Sequence, residues 1–193
     1  MKILIIYSHP WEGSFSHALL DSVIEGLNTK NIHYKIIDLY KDDFNPVFKK
    51  EELALYNKGE FIDKKVADYQ KMINNSDHIF FIFPIWWGMV PAMLKGFIDK
   101  VFLKKWAYDL NGLKTVKKLT FIKKTTIITT LNSPRIYYLI FIQWVIKIFF
   151  GINLLKLCGI KKIKYFVRPS IKGINNKKRI DFLKKVKNYC KNL

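Results

Sequence analysis

The stretch from Ile79 to Val101 constrains the fold of this chain more than any other. Its first five residues, Ile-Phe-Phe-Ile-Phe, are continuously apolar, which is typical of a strand buried on both faces of a parallel sheet. Pro84 has no amide hydrogen and ends that strand. A turn with two tryptophans and a glycine follows, and Pro91 then precedes apolar residues at helical spacing. The stretch therefore predicts a buried strand, an aromatic turn at its carboxyl end and a helix.

Four other apolar segments also have the length and composition of strands, and helical patterns separate them. We predict these strands at residues 2–7, 34–39, 126–130 and 162–167. Strands that alternate with helices form βαβ units with right-handed crossovers. We therefore predict an α/β fold with a doubly wound, five-stranded parallel sheet in the order 2-1-3-4-5. A chain of 193 residues can build this as a single domain, residues 1–193.

Other parts of the chain lead to more local predictions. We predict helices at residues 62–74 and 177–190, a long connection from Tyr40 to about Gly59, and a lysine-rich loop at 114–124.

The charge of the chain is unevenly distributed. Residues 1–101 contain 12 basic and 13 acidic side chains, whereas residues 102–193 contain 22 and 2. A basic face can attract an anionic cofactor or an anionic bilayer, although a lysine-rich genome would give the same excess. No nucleic-acid motif accompanies the charge, so we expect no nucleic-acid partner. The two cysteines form no metal or redox motif and no signal peptide precedes the first strand, so we expect a cytoplasmic protein without a metal site.

The loop from Ser8 to Ser16 is rich in hydroxyl and small residues and directly precedes a helix. The unpaired amides and the dipole of a helix N-terminus favour an anion, and Ser14 and Ser16 add hydroxyl donors. Ser16 can also cap the helix, and a loop that does nothing else is the alternative. In the predicted strand order, this loop and the turn at 84–88 meet at the switch point between strands 1 and 3, where such folds bind ligands. Indole rings beside backbone amides suit a flat, conjugated ligand.

Residues 136–157 form the most ambiguous segment, because they are very apolar. A transmembrane helix needs about 20 predominantly apolar residues. Lys147 lies near the middle of this segment, where a charge costs roughly 2.5–3.5 kcal/mol on insertion scales, and Gly151 is a candidate break. We therefore predict a pair of soluble helices, serving as a dimer face or as a hydrophobic wall beside the ligand.

Several motifs resemble those of the flavodoxin-like NAD(P)H:quinone oxidoreductases, which include drug-modulator quinone reductases and the ancillary oxidoreductases of potassium-efflux systems. The most specific motif is Phe-Pro-x-x-Trp at 83–87, followed by Val-Pro-Ala-x-Leu-Lys-Gly at 90–96. The weaker matches are His-Pro at 9–10, Ser-Phe-Ser at 14–16, Asp-Leu-Tyr at 38–40, Phe-Asn-Pro at 44–46, Thr-Thr at 129–130 and Cys-Gly-Ile at 158–160.

The resemblance implies a bound flavin, FAD or alternatively FMN, that passes hydride from NAD(P)H to a quinone or a similar small acceptor. It also implies a homodimer. The residues that it implies around the cofactor are His9, Ser14, Phe15, Ser16, Asn45, Pro84, Ile85, Trp86, Trp87, Gly88, Thr129 and Thr130. It further implies catalytic roles for Thr129 and for Tyr137, with Tyr138 as the alternative tyrosine.

The chain departs from the family pattern at several positions. Leu131 and Asn132 stand where family members often have a glycine pair. Gln143 lies roughly where some animal members carry a histidine. Ser170, Ile171 and Arg179 match the family's contacts to an adenosine group only loosely, which leaves FAD and FMN as alternatives.

Other functions remain open at this point. The basic second half and the apolar segment at 136–157 are compatible with a flavin-bearing regulatory subunit of a membrane transporter, and hence with peripheral membrane association. An electron-carrier flavodoxin is disfavoured, because those proteins are typically acidic whereas this chain has a net charge of +19. The choice between NADH and NADPH and the identity of the acceptor stay open.

Overall fold

A computed structural model describes all 193 residues, and a five-stranded parallel sheet lies at its centre. The strands are β1 (Ile3–Tyr7), β2 (Tyr34–Asp38), β3 (His78–Pro84), β4 (Tyr108–Asn111), β5 (Lys114–Lys117), β6 (Lys124–Thr130) and β7 (Ile163–Arg168). The central sheet has the order β2-β1-β3-β6-β7, and every neighbouring pair in it is parallel. When these five strands are counted among themselves, the order is 2-1-3-4-5, so the predicted doubly wound sheet is confirmed.

Helices cover both faces of this sheet. They are α1 (Phe15–Asn28), α2 (Lys50–Leu55), α3 (Lys64–Asn74), α4 (Ala92–Val101), a long helix (Arg135–Lys156) and a C-terminal helix (Asn176–Lys191). The first and the C-terminal helix pack on one face, and α3, α4 and the long helix pack on the other. The predicted strand and helix bounds lie within about two residues of these, which is the usual uncertainty at the ends of elements.

The position of β3 in the sheet explains why its sequence is apolar without interruption. All seven of its residues are buried. The rings of Phe81 and Phe83 lie 5.2 and 5.3 Å from the ring of Phe150 on the long helix, whereas Phe80 faces Tyr189 on the opposite side of the sheet. Successive side chains of a strand point to opposite faces, so a strand covered on both sides needs apolar residues at every position.

Two segments that were predicted as loops contain regular structure. The connection 40–59 includes α2 and a short 3₁₀ turn, Tyr56–Lys58, and the lysine-rich loop includes β5, which pairs with β4 in an antiparallel hairpin. The short elements in these two segments were not predicted, because elements of three to six residues are too short to give a clear hydrophobic period. Tertiary contacts hold α2 instead: its Glu52 forms a 2.9 Å ion pair with Lys100 on α4.

The predicted break at Gly151 was also wrong, because the helix runs without interruption from Arg135 to Lys156. Gly151 is buried against β7, and a Cβ at this position would lie 3.1 Å from the hydroxyl oxygen of Tyr165. The glycine therefore allows the helix to approach the sheet closely. Two parts of this helix, Tyr138–Ile142 and Lys147–Lys156, have the wider π-type hydrogen bonding, which is uncommon over such a length.

One face of the long helix is apolar and uncovered. By length and composition this helix could cross a membrane, and 33% of its most apolar window is buried within the chain. Its exposed large apolar side chains are Ile136, Tyr137, Leu139, Ile140, Phe141, Trp144, Val145, Ile148 and Ile152. Contiguous exposed apolar patches of this kind are uncommon on monomeric soluble proteins.

Candidate functional site

A cavity of about 500 Å³, the main cavity, lies at the carboxyl edge of β1 and β3. Both loops that the sequence pointed to contribute to its wall. Of the predicted site residues, those that line it are His9, Ser14, Phe15, Ser16, Pro84, Ile85, Trp86 and Thr130. The two loops, 70 residues apart in sequence, thus meet at the switch point of the sheet because β1 and β3 are neighbours.

The N-terminus of α1 offers free hydrogen-bond donors to this cavity. The side chain of Ser14 caps the helix by accepting a hydrogen bond from the His17 amide at 3.1 Å. Ser16 lies inside the first turn, so the alternative of a Ser16 cap was wrong. The amides of Phe15 and Ser16 donate no hydrogen bond within the chain. Two unpaired amides at the positive end of a helix dipole form a site that favours an anion.

His9 is oriented as a neutral hydrogen-bond donor. Its Nδ1 accepts a 3.1 Å hydrogen bond from the Trp11 amide, so the ring proton is assigned to Nε2. Burial lowers the pKa of His9 below its ordinary value, which keeps the ring neutral at pH 7. The ring also packs edge-on against Trp86 at 5.8 Å between centroids. His9 therefore connects the hydroxyl-rich loop to the tryptophan turn.

The tryptophan turn has an unusual backbone. The amides of Trp86 and Met89 each donate to the other residue's carbonyl oxygen at 2.9 Å, and the central residues Trp87 and Gly88 have φ of 50° and 77°. Positive φ at both central positions defines a type I′ turn, which favours asparagine followed by glycine. Tryptophan in the left-handed region costs about 1–2 kcal/mol, yet the Trp87 side chain is fully exposed. Strained backbone of this kind clusters at ligand-binding sites.

A second cavity of about 600 Å³ lies on the other side of the turn. It shares Ile85, Trp86 and Asn132 with the main cavity, and it is also lined by Trp87, Gly88, Ser133, Tyr137 and Ile142. Tyr138 instead packs against the core, and burial raises the pKa of Tyr138. Of the two candidate tyrosines, Tyr137 is therefore the one beside the tryptophan turn.

The structure does not bring Asn45 or Thr129 to either cavity. The Asn45 side-chain oxygen accepts a hydrogen bond from the Val47 amide at 3.0 Å, and the backbone carbonyl oxygen of Asn45 accepts one from Lys100 Nζ at 3.1 Å. Thr129 is fully buried in β6, and its Oγ1 has no hydrogen-bond partner. Neighbouring residues of a strand face opposite sides, so the cavity receives Thr130 and not Thr129.

Several residues of the main cavity were not among the predicted site residues. Trp11 covers Gly13 so closely that a side chain at Gly13 would collide with the indole ring. Lys172 comes from the loop after β7. Arg179, which matched the family's adenosine contacts only loosely, comes from the C-terminal helix. Trp11 could have been predicted as a site residue, because it is an aromatic residue within a glycine- and serine-rich loop. For Lys172 no such signal exists, because only the strand order brings it near.

The residues present fit a flat ligand that carries a phosphate group. The main cavity has a volume within the usual range for ligand sites, and its wall contains two unpaired amides, the His9 ring and the indole ring of Trp86. Lys172 and Arg179 add positive charge to the wall.

Comparison with known proteins supports the same fold. The family model described as "Flavodoxin-like fold" matches residues 1–193. A ribosyldihydronicotinamide dehydrogenase [quinone] from Pongo abelii is 30% identical over 127 residues, which cover 58% of this chain and 55% of that protein. An uncharacterized NAD(P)H oxidoreductase from Haemophilus influenzae is 27% identical over 180 residues, covering 93% of this chain and 89% of the relative.

A crystal structure of a Streptococcus mutans protein is 34% identical, with a TM-score of 0.88 and full coverage of both chains. This chain spans about half the length of the first curated relatives that it matches. Since the family model covers the whole chain, the chain belongs to the flavodoxin-like family.

Proposed function

We propose that this protein is an oxidoreductase that holds a flavin nucleotide and passes hydride from NAD(P)H to a quinone or a similar small acceptor. The observation that carries the proposal is one cavity whose wall contains both a helix N-terminus with two unpaired amides and Trp86 of the tryptophan turn. The names of two relatives, a quinone dehydrogenase and an NAD(P)H oxidoreductase, support the same reaction class.

Different residues would bind different parts of the flavin nucleotide. The amides of Phe15 and Ser16 and the Nε2–H of His9 would hold the phosphate group, and Trp86 would flank the ring system. The Trp86 amide is already used within the turn, so the amides of Trp87 and Gly88 remain as donors to the ring. A bound flavin supplies the hydride chemistry, and preorganised donors of this kind stabilise charge that develops on it.

The second cavity would receive NAD(P)H and the acceptor in turn. It opens on the other side of Trp86 and is lined by Tyr137, whose hydroxyl can donate a hydrogen bond to a carbonyl oxygen of a substrate. We retain Tyr137 as the proposed catalytic residue. For Thr129, whose side chain is buried away from both cavities, only a positioning role through β6 remains in the proposal.

The absorbance spectrum of the purified protein tests this proposal. We expect a flavin band that NADPH bleaches under anaerobic conditions and that menadione restores. A colourless protein that binds neither FMN nor FAD on reconstitution would contradict the proposal, and the flavin released by heat denaturation would decide between FAD and FMN.

Replacing Trp86, which lines the main cavity, with alanine is expected to weaken flavin binding about tenfold or more, because stacking of an aromatic side chain on a base-like ring is worth about 1–3 kcal/mol. Titration of the apoprotein with FMN, followed by flavin fluorescence, measures the effect. Phe121→Ala is the control, since this aromatic side chain is also exposed, lies outside the long helix and lines neither cavity. Equal affinities for the parent protein and Trp86→Ala would rule out the stacking role.

We further propose that the uncovered face of the long helix pairs with a second copy of the chain in the cytoplasm. The support is the run of exposed apolar side chains, which continues from Tyr137 at the second cavity to Ile152. Light scattering is expected to give the mass of a dimer, and Phe141→Lys is expected to shift it to a monomer.

A flavin-bearing subunit on a membrane transporter is the second candidate function. The same apolar helix and the basic second half of the chain favour it. In that case the protein would sediment with anionic vesicles at low salt and be released at high salt. A dimer that turns over rapidly and ignores such vesicles would contradict this second candidate.

A further inference from the structure

A third cavity, here called the arginine cavity, lies at the outer edge of the sheet beyond β7. Its volume is about 500 Å³. The polar side chains in its wall are those of Arg135, Arg168, Ser170, Lys178, Asp181 and Lys185. Four cationic groups thus face one carboxylate, and Asp181 forms no ion pair within the chain. The cavity is therefore suited to an anion.

The use of arginine here is not explained by a lysine-rich composition. Only three of the 34 basic residues of the chain are arginines. Arg135 and Arg168 line the arginine cavity, and Arg179 lines the adjacent main cavity, where its Nε and Nη2 donate to the Ile171 carbonyl oxygen at 3.2 and 3.0 Å. A bias towards lysine would not gather every arginine at one edge of the sheet. The planar guanidinium group is the side chain that best matches phosphate oxygens.

Arg168 also has an unused donor. It is the last residue of β7, and its Nε is buried without a hydrogen-bond partner. Buried polar groups are normally paired, so an unpaired one calls for an explanation such as a bound ligand. The strand fixes the backbone of Arg168 through the hydrogen bond that its carbonyl oxygen accepts from the Leu131 amide at 3.1 Å.

The arginine cavity is close to the second cavity, where the proposed function puts the substrates. Arg135 and Tyr137 lie two residues apart in the first turn of the long helix and line one cavity each. Ser170 of the arginine cavity donates its amide hydrogen to the carbonyl oxygen of Ser133, which lines the second cavity, at 3.0 Å. The first turn of the long helix and the Ser133–Ser170 backbone contact thus form the wall between the two cavities, and one dinucleotide that occupied both would have to pass around this wall.

We propose that the arginine cavity binds a phosphate monoester dianion, namely the 2′-phosphate of NADPH, and so makes the enzyme prefer NADPH to NADH. This inference rests on the proposed function, in which a pyridine nucleotide enters the second cavity. NADH lacks the 2′-phosphate, so it leaves the guanidinium groups of Arg135 and Arg168 without that anionic partner.

Calorimetric titration of the purified protein with adenosine 2′,5′-bisphosphate, AMP and inorganic phosphate tests the site without turnover. We expect the bisphosphate to bind at least about tenfold more tightly than AMP, because it adds charged hydrogen bonds to the two guanidinium groups. Arg135→Gln, at an exposed position, and Arg168→Gln should each remove most of that ratio, whereas Lys114→Gln on the distant hairpin should keep it.

The kcat/KM for NADPH relative to NADH should fall in the two arginine variants in parallel with this affinity ratio. Equal binding of the bisphosphate and AMP would overturn the inference, and so would inorganic phosphate binding as tightly as the bisphosphate, because the cavity would then be a site for free phosphate. Failure of the proposed function is distinguishable from failure of this inference. A protein that binds no flavin would lack the flavin band in its absorbance spectrum, whatever the outcome of these titrations.

Discussion

Replacing Lys100 with methionine is expected to lower the free energy of unfolding by about 3–5 kcal/mol, the usual cost of breaking a buried ion pair from one side. Lys100 is 4% exposed, and its Nζ lies 2.9 Å from Glu52 Oε1 and 3.1 Å from the carbonyl oxygen of Asn45. Burial alone would raise the pKa of Glu52, but the Lys49 amide and the Lys100 ammonium hold it below its ordinary value. Methionine would leave this carboxylate buried and unpaired.

Urea denaturation measures this effect, and the same helix provides a matched control. Lys95 pairs with Asp99 at the surface, so Lys95→Met should cost less than about 1 kcal/mol. Adding Glu52→Gln to Lys100→Met should restore part of the lost stability, because the unpaired charge is then removed. A loss below about 1 kcal/mol in Lys100→Met would show that this ion pair does not hold the 40–59 connection on α4.

Lowering the pH from 7 to 4 is expected to remove about 3 kcal/mol of stability through His78 alone. Burial, with a smaller effect of Lys124, lowers the pKa of His78 to about 4 from its ordinary value of 6.5. The unfolded chain therefore takes up a proton first as the pH falls. The contribution of His78 is complete above pH 6.5 and is lost progressively as the pH falls towards 4.

The surroundings of His78 explain why its neutral form is the folded one. The ring stacks on Phe80 at 4.5 Å, its Nε2 lies 2.8 Å from Thr126 Oγ1, and its Nδ1 is buried without a partner. Denaturation of His78→Gln between pH 7 and 4 measures the effect as a shallower loss of stability than in the parent protein. His33→Gln, at an exposed position, should retain the parent pH dependence. Identical curves for the parent and His78→Gln would refute the assignment.

The arrangement of the sheet could be predicted because its strands are short, apolar and separated by helical patterns. The uninterrupted run in β3 predicts burial on both faces, and the run is buried on both. Once the strand order follows from right-handed crossovers, the loop after β1 and the turn after β3 must be neighbours. Most of the main cavity therefore follows from local patterns together with a general rule of topology.

Other features of the site depend on contacts between distant residues. Which threonine of the pair at 129–130 faces the cavity is decided by the register of β6 against its neighbours. Lys172 and Arg179 reach the cavity only because β7 follows β6 in the sheet. In the same way, α2 has too few residues for a periodic signal, and the ion pair of Glu52 with Lys100 connects this helix to α4.

The sequence by itself determined the class of fold, the order of the five strands and the two loops that form the main cavity, because these depend on hydrophobic periodicity and on local backbone chemistry. Only the tertiary structure decided which side chains in those loops face the cavity, that Gly151 serves close packing within an unbroken helix, and that the arginines gather at one edge. The physical reason is that these features arise from packing between segments that are far apart in the chain. Such packing produces no hydrophobic periodicity within any single segment.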